Sequence, residues 1–209
     1  MLRLQAAMNT KVDQDWVSSA YPYLRAVVIE AAEAMEHHGW KWWKKQHCDL
    51  SQLQMELVDI WHFLLSEVLL REGGNQESAA SSLFDHLEND ASESIRIDDQ
   101  IMILAEMDLL QKLQLLIATA AINRLEFGLF ARILSECQMS WPELYRQYVG
   151  KNVLNFFRQD HGYKDGTYHK IWHGREDNEH LVELLNSLPE QAEDFPEQLY
   201  RALEKRYPA

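Results

Sequence analysis

Apolar residues recur at helical spacing almost from end to end of this chain, and no alternating run exceeds four or five residues. That periodicity restricts the fold to an all-α helical bundle. Leu24, Val27, Val28, Ala31 and Met35 form an i, i+3, i+4, i+7, i+11 stripe that begins after Pro22 and stops at Gly39. Asp49 and Gln52 stand as N-cap and N3 residues of the next helix. Its stripe of Leu53, Leu57, Ile60, Trp61, Leu64 and Val68 runs on toward Gly73-Gly74. Residues 75–100 are rich in Ser, Asp and Glu and read as a polar excursion with a short helix near 83–87. Helical spacing returns over 101–134, strong enough for a core helix or one that forms a dimer. Ser140 caps a helix starting at Trp141-Pro142 and ending near Gly162, and one or two further helices follow, separated by Pro189 and Pro196.

The 209 residues carry a formal charge of −13. Such a balance disfavours a duplex-binding surface, which needs clustered Lys and Arg to replace phosphate counterions, and it disfavours an anionic membrane. The N-terminus, Met1-Leu-Arg-Leu-Gln5, has no signal-peptide pattern. No apolar run reaches ~18 residues, because the best candidate, 109–122, is broken by Gln111, Lys112 and Gln114. The expectation is a soluble cytoplasmic protein that binds neither nucleic acid nor membrane. Cys48 and Cys137 lack metal-ligand spacing. They are either two free thiols of a reducing compartment, the reading the context favours, or one disulfide.

Chemistry enters with the acids. Glu30-Ala-Ala-Glu33 and Glu56-Leu-Val-Asp59 lie on consecutive helices joined by a short turn, so the two pairs can meet across a helix–helix groove. With 33 Asp and Glu in the chain, one acid three residues after another is common, and a solvated helix face is its ordinary explanation. Two features go further. Glu56, Asp59 and Phe63 share one narrow face away from the main stripe, and a phenylalanine among carboxylates suits a pocket wall better than solvent. Four converging carboxylates also repel, at about 1 kcal/mol per pair at ~4 Å even in bulk water, unless a hard cation such as Mg2+ sits among them. A di-iron bundle would need Glu-x-x-His on two helices, and Asp59-x-x-His62 alone comes near, with His62 about 60° round the helix from Asp59.

Trp40, Trp42 and Trp43 alternate with Lys41, Lys44 and Lys45. Three indoles in four positions cannot all face one core, so at least one is expected to line a pocket or interface. Further on, Arg146, Lys151, Arg158, Lys164, Lys170 and Arg175 stand against only Asp160 and Asp165, a local excess of four positive charges (six minus two) in an acidic chain. Lys151, Asn155 and Arg158 fall on one helical face and Val149, Val153, Phe156 and Phe157 on the other. Taken alone, that pattern is an ordinary amphipathic helix with solvated basic residues. The glycine-bounded loop 162–170 adds donors that could close over phosphates.

The order Glu-x-x-Glu, Trp-Lys-Trp-Trp-Lys, Glu-x-x-Asp-x-x-His-Phe and Gly-Lys-Asn-x-Leu-Asn-x-Phe-Arg-Gln-x-x-Gly-Tyr-Lys resembles the dimeric all-α dUTPases, relatives of phage dCTPases and MazG-like nucleotide pyrophosphohydrolases. The likeness runs in patches from Leu4 to Asn178. The carboxylate motifs specify the superfamily, and the stretch from Tyr148 to Lys170, with Trp172 and Glu176-Asp177-Asn178, the dUTPase/dCTPase branch. The resemblance implies a homodimer, each chain a single domain over 1–209 with a movable lobe around 73–135. It implies hydrolysis of dUTP and dUDP to dUMP, which limits uracil incorporation into DNA, with Mg2+ held by Glu30, Glu33, Glu56 and Asp59. It places Trp42, His62 and Phe63 about base and deoxyribose, with Gln5 and Asn9 reading the uracil edge. It places Lys151, Asn155, Arg158, Tyr163, Lys164 and Lys170 at the phosphates.

No Ser/His/Asp or Cys/His set stands out, so water is the expected nucleophile, with Glu30 as the base that activates it. Phe63 would exclude a 2′-hydroxyl by packing on the sugar. Uracil and cytosine stay open alternatives at this level, since an Asn or Gln amide serves either by flipping. A dCTPase, a broader MazG-like pyrophosphohydrolase and a non-catalytic interaction protein are the competing readings.

Overall fold

The computed structural model describes residues 1–89, 93–188 and 194–208, without the side chains of 88 and 89. It is 68% helical, with ten α-helices and two short hairpins among the described residues, which makes the chain all-α. None of the helices is long and apolar enough to cross a membrane. Two compact units are present. One comprises Met1, Arg3–Ser19 and Trp141–Ala209, and the other Leu2 and Ala20–Ser140.

The 20–140 unit is built around a helical hairpin. Helix α3 (Tyr23–His38) is terminated by Gly39, whose φ of 88° lies in the left-handed region. Helix α4 (Leu50–Arg71) starts as expected: the Asp49 carboxylate accepts the Gln52 backbone N–H. All six residues of its predicted stripe are buried, Trp61 stacking on Phe130 at 5.3 Å and meeting Phe127 edge-on. Asp49 N–H reaches His37 C=O at 2.8 Å, which closes the turn and runs α4 back along α3. Lower in the unit, the structure departs from the sequence reading in two places. The polar segment after Gly74 is a full helix, α5 (Gln76–Asn89), because the Asn75 side chain accepts from the N–H groups of Glu77 and Ser78 and caps it. Among the described side chains of that helix only Ala79 is buried, so no stripe advertised it.

The run 101–134 is not one helix either. Ser94–Ile97 (β1) pairs antiparallel with Gln100–Ile103 (β2), and alternating isoleucines at 95, 97, 101 and 103 supply the β-branched pattern. Helix α6 (Leu109–Ala121) then begins at a capping box formed by Asp108 and Gln111, and left-handed Asn123 separates it from α7 (Phe127–Glu136). Helix α3 packs on both α4 and α6. Cys137 is buried and Cys48 exposed, both as free thiols, which decides between the two sequence-level alternatives. Burial above all pushes the Cys137 thiol up to about 12, so it stays protonated and unreactive.

The other unit joins α1 (Leu2–Val12) and the short α2 (Trp16–Ser19) to the C-terminal helices α8 (Trp141–Asp160), α9 (Asp177–Ser187) and α10 (Phe195–Arg206). Between α8 and α9 lies a two-residue hairpin, Ile171–Trp172 (β3) with Arg175–Glu176 (β4). Pro196 sits in the first turn of α10 and starts that helix rather than separating two, while Pro189 lies outside the described residues. Helix α8 begins where Ser140-Trp141-Pro142 predicts, but its basic face is not the solvated one of the simple amphipathic reading. Lys151 is only 2% exposed and Asn155 and Arg158 are half-buried, while on the apolar face Phe157 and Val153 are buried and Val149, Val153 and Phe156 border an open groove of about 370 Å3 with Asn152, Pro196 and Tyr200. A lysine buried to that degree requires polar partners at its tip.

Candidate active site

Glu30 and Glu33 sit on α3 off its buried stripe, and Glu56 sits on α4, where the hairpin brings it back beside them. One carboxylate oxygen from each of the three lies within 4.8 Å of the others. Glu33 is exposed, Glu30 half-buried and Glu56 6% exposed, so the cluster is graded from solvent inward. Like charges this close disfavour one another, most strongly where water is excluded. The donors are all carboxylate oxygens, the set a hard divalent cation takes. Asp59 lies one turn further along α4, half-buried, outside this three-residue group.

The sequence reading missed His37, whose Nε2 stands 3.3 Å from Glu56 Oε1. A signal existed, since Glu30, Glu33 and His37 fall at i, i+3, i+7 on one face of α3. On α4, His62 is buried and Phe63 half-buried. Trp42 is 86% exposed, and its ring meets Trp43 edge-on at 4.6 Å. Trp40 donates to Glu36 at 2.6 Å, and Lys41 pairs with the same carboxylate at 2.7 Å, which fixes the start of the turn that presents Trp42.

In the other unit, the basic segment organises around two residues that sequence reasoning left out of the site, Asp177 and Asn178. The Arg158 guanidinium grips the fully buried Asp177 with two parallel bonds, Nε to Oδ2 and Nη2 to Oδ1, both 2.8 Å. It also donates through Nη1 to Asn155 Oδ1 at 3.1 Å and through Nη2 to Asn178 Oδ1 at 3.2 Å. Lys151 Nζ donates to the same Asn178 oxygen at 2.8 Å, and the Tyr168 hydroxyl to Asp177 Oδ2. Burial pushes the Asp177 carboxyl up, but the Arg158 fork, with Tyr168 and Lys151, outweighs it and holds Asp177 below the ordinary aspartate value.

Lys151, Asn155, Arg158 and Tyr163 therefore gather, whereas Lys164 reaches the Val12 carbonyl and Lys170 pairs with Glu176 at 3.0 Å. Tyr163 is placed by the end of α8. Gly162 takes the left-handed position, Tyr163 N–H returns to Arg158 C=O at 2.9 Å, and the Tyr163 ring comes to 5.8 Å from the guanidinium carbon. A Cβ on Gly162 would meet Thr167 Oγ1 at 2.0 Å at a φ of 85°. Gly162→Ala should therefore destabilise the protein by at least about 1 kcal/mol. An unchanged melting temperature would show that this turn re-forms without strain.

Gln5 and Asn9 are both buried on α1, and Gln5 Nε2 donates to Asn9 Oδ1 at 3.0 Å. Tyr148, on α8, donates to Gln5 Oε1 at 3.0 Å.

An all-α chain with a carboxylate cluster on a helical hairpin has the architecture expected of an all-α nucleotide hydrolase. The family model for dUTPase matches residues 1–163, so 163 of the 209 residues are covered, and the chain belongs to the dUTPase family. Its activity is that of a dUTP diphosphatase, and enzymes of this family are generally dependent on a divalent metal. No curated protein matches the chain.

Proposed function

We propose that the enzyme hydrolyses dUTP, and dUDP, to dUMP with Mg2+, as a cytoplasmic homodimer that limits uracil incorporation into DNA. The observation that carries this reading is the convergence of Glu30, Glu33 and Glu56 within 4.8 Å, an all-oxygen donor set that supports a hard cation. Asp59 completes the proposed ligand set from the next turn of α4. Bound Mg2+ supplies charge neutralisation at the phosphates and lowers the pKa of a coordinated water.

The chain's own residues do the rest. Glu30, intermediate in burial compared with exposed Glu33 and buried Glu56, accepts a proton from the attacking water in this reading. Lys151, Arg158 and Lys170, with Asn155, Tyr163 and Lys164, neutralise and orient the departing phosphates. Trp42, His62 and Phe63 take the base and sugar, and Gln5 and Asn9 the base edge. A panel of nucleoside di- and triphosphates with Mg2+, reading phosphate and pyrophosphate separately, tests the assignment. Turnover of dUTP to pyrophosphate and dUMP, abolished by chelator, is expected. Equal turnover of dCTP would move the enzyme to the dCTPase side of the family.

Phe63 lies half-buried one turn beyond Asp59. Phe63→Ala should raise KM and lower the dUTP/UTP ratio of kcat/KM by about tenfold, the scale of one lost apolar contact. An unchanged ratio would make Phe63 packing alone and move sugar selection to another residue.

A further inference from the structure

We propose that Tyr148 sets the hydrogen-bond direction of the Gln5–Asn9 amide pair and thereby selects the uracil over the cytosine edge of the base. The inference rests on the reading above that Gln5 and Asn9 face the base. All three side chains belong to one compact unit, and all three are buried, Tyr148 completely, so solvent does not decide how the amides point.

Two adjacent primary amides form a chain that can run either way, because each has a donor end and an acceptor end. Tyr148 breaks that symmetry. Its hydroxyl lies 3.0 Å from Gln5 Oε1 and 3.2 Å from the Met1 carbonyl. The Met1 carbonyl already accepts the Gln5 backbone N–H at 3.0 Å as part of α1, and the nearer acceptor is Gln5 Oε1. The hydroxyl proton is therefore directed at Gln5, and burial raises the phenol's pKa, which keeps that proton in place. With Oε1 held by Tyr148, Gln5 turns its Nε2 to Asn9 and donates to Oδ1 at 3.0 Å. Asn9 must then carry its Nδ2 end away from Gln5.

Turned from Gln5 to the base, the amide N–H2 complements the O4 acceptor of uracil and opposes the N4 amino group that cytosine carries at that position. The reverse chain, with Asn9 donating to Gln5, would turn Asn9 Oδ1 to the base instead and favour cytosine. One buried hydroxyl thus makes a two-way amide pair one-way.

Tyr148→Phe keeps the ring and removes the donor. The expected result is a fivefold to tenfold fall in the dUTP/dCTP ratio of kcat/KM, the scale of about one neutral hydrogen bond, arising through improved use of dCTP. A purely structural role would slow both substrates equally, and an unchanged ratio in folded Tyr148→Phe overturns the proposal. Asn9→Ala in the same assay separates the two levels. If it leaves the ratio unchanged, the base reading itself fails. If it collapses the ratio while Tyr148→Phe does not, this inference alone fails. Should Tyr148→Phe not fold, the wild-type chain decides. A trans-hydrogen-bond coupling from Gln5 Nε2 to Asn9 Cγ supports the direction argued here, and a coupling from Asn9 Nδ2 to Gln5 Cδ overturns it.

Discussion

Glu56→Gln should abolish dUTP turnover, by at least about a hundredfold, while helix content stays at the wild-type level. Glu56 is the innermost of the three clustered carboxylates, with a side chain 8% exposed and His37 Nε2 at 3.3 Å. Glutamine keeps its shape and removes its charge, and the loss of even an outer-sphere partner commonly costs a metal site 10–100-fold in affinity or activity. The charge argument gives a second readout with a sign. Without metal, the substitution relieves repulsion within the cluster, so the variant should melt at or above the wild-type temperature. With Mg2+ in excess, the wild type should gain stability as RT ln(1 + [Mg]/Kd) while Glu56→Gln gains little. Activity near wild type in Glu56→Gln, or a wild-type melting temperature indifferent to Mg2+, would remove the carboxylate cluster from the mechanism.

How far such a site can be read from sequence depends on how local its parts are. The hairpin of α3 and α4 was legible because each helix carries its own stripe, its stop or cap lies within a few residues, and the connecting turn is short. Glu30, Glu33 and Glu56 follow from that alone, since i, i+3 spacing on two adjacent helices leaves little freedom. Helix α5 was underread because, among its described side chains, it buries only Ala79 and is defined by the Asn75 cap rather than by a core face. The β1–β2 hairpin hid behind isoleucines that suit either period when a run is only four residues long.

Helix α8 misled for a different reason. Its basic face is covered as well as its apolar one, because Asp177 and Asn178, 19 and 20 residues beyond Arg158, fold back to receive it. A buried polar network made of distant residues leaves no periodic trace, and only the resemblance drew attention to Glu176-Asp177-Asn178. His37 shows the intermediate case, in which the spacing was present but histidine on an acidic face was not weighed as a partner of Glu56.

Arg158→Lys keeps the charge and should nevertheless cost about 1–3 kcal/mol of stability, together with a clear loss in kcat/KM. The guanidinium makes two parallel bonds to fully buried Asp177 and still reaches Asn155 and Asn178. An ammonium is a point charge that cannot repeat this geometry, and it leaves a buried carboxylate partly uncompensated. The pH dependence gives the expectation a direction. Asp177 is held below the ordinary aspartate value in the folded protein, so its pairing contributes stability above about pH 4, the unfolded aspartate range, and loses it as pH falls through the lower folded value. The difference in melting temperature between wild type and Arg158→Lys should therefore be widest near neutral pH and narrow below about pH 4. Asp177→Asn separates the two roles of the arginine. If Arg158 acts on the phosphates only once Asp177 has oriented it, Asp177→Asn should impair kcat/KM as Arg158→Lys does, although Asp177 itself contacts no phosphate. If Asp177→Asn lowers stability yet leaves kcat/KM intact, the pair serves the fold and the phosphates are met by other residues.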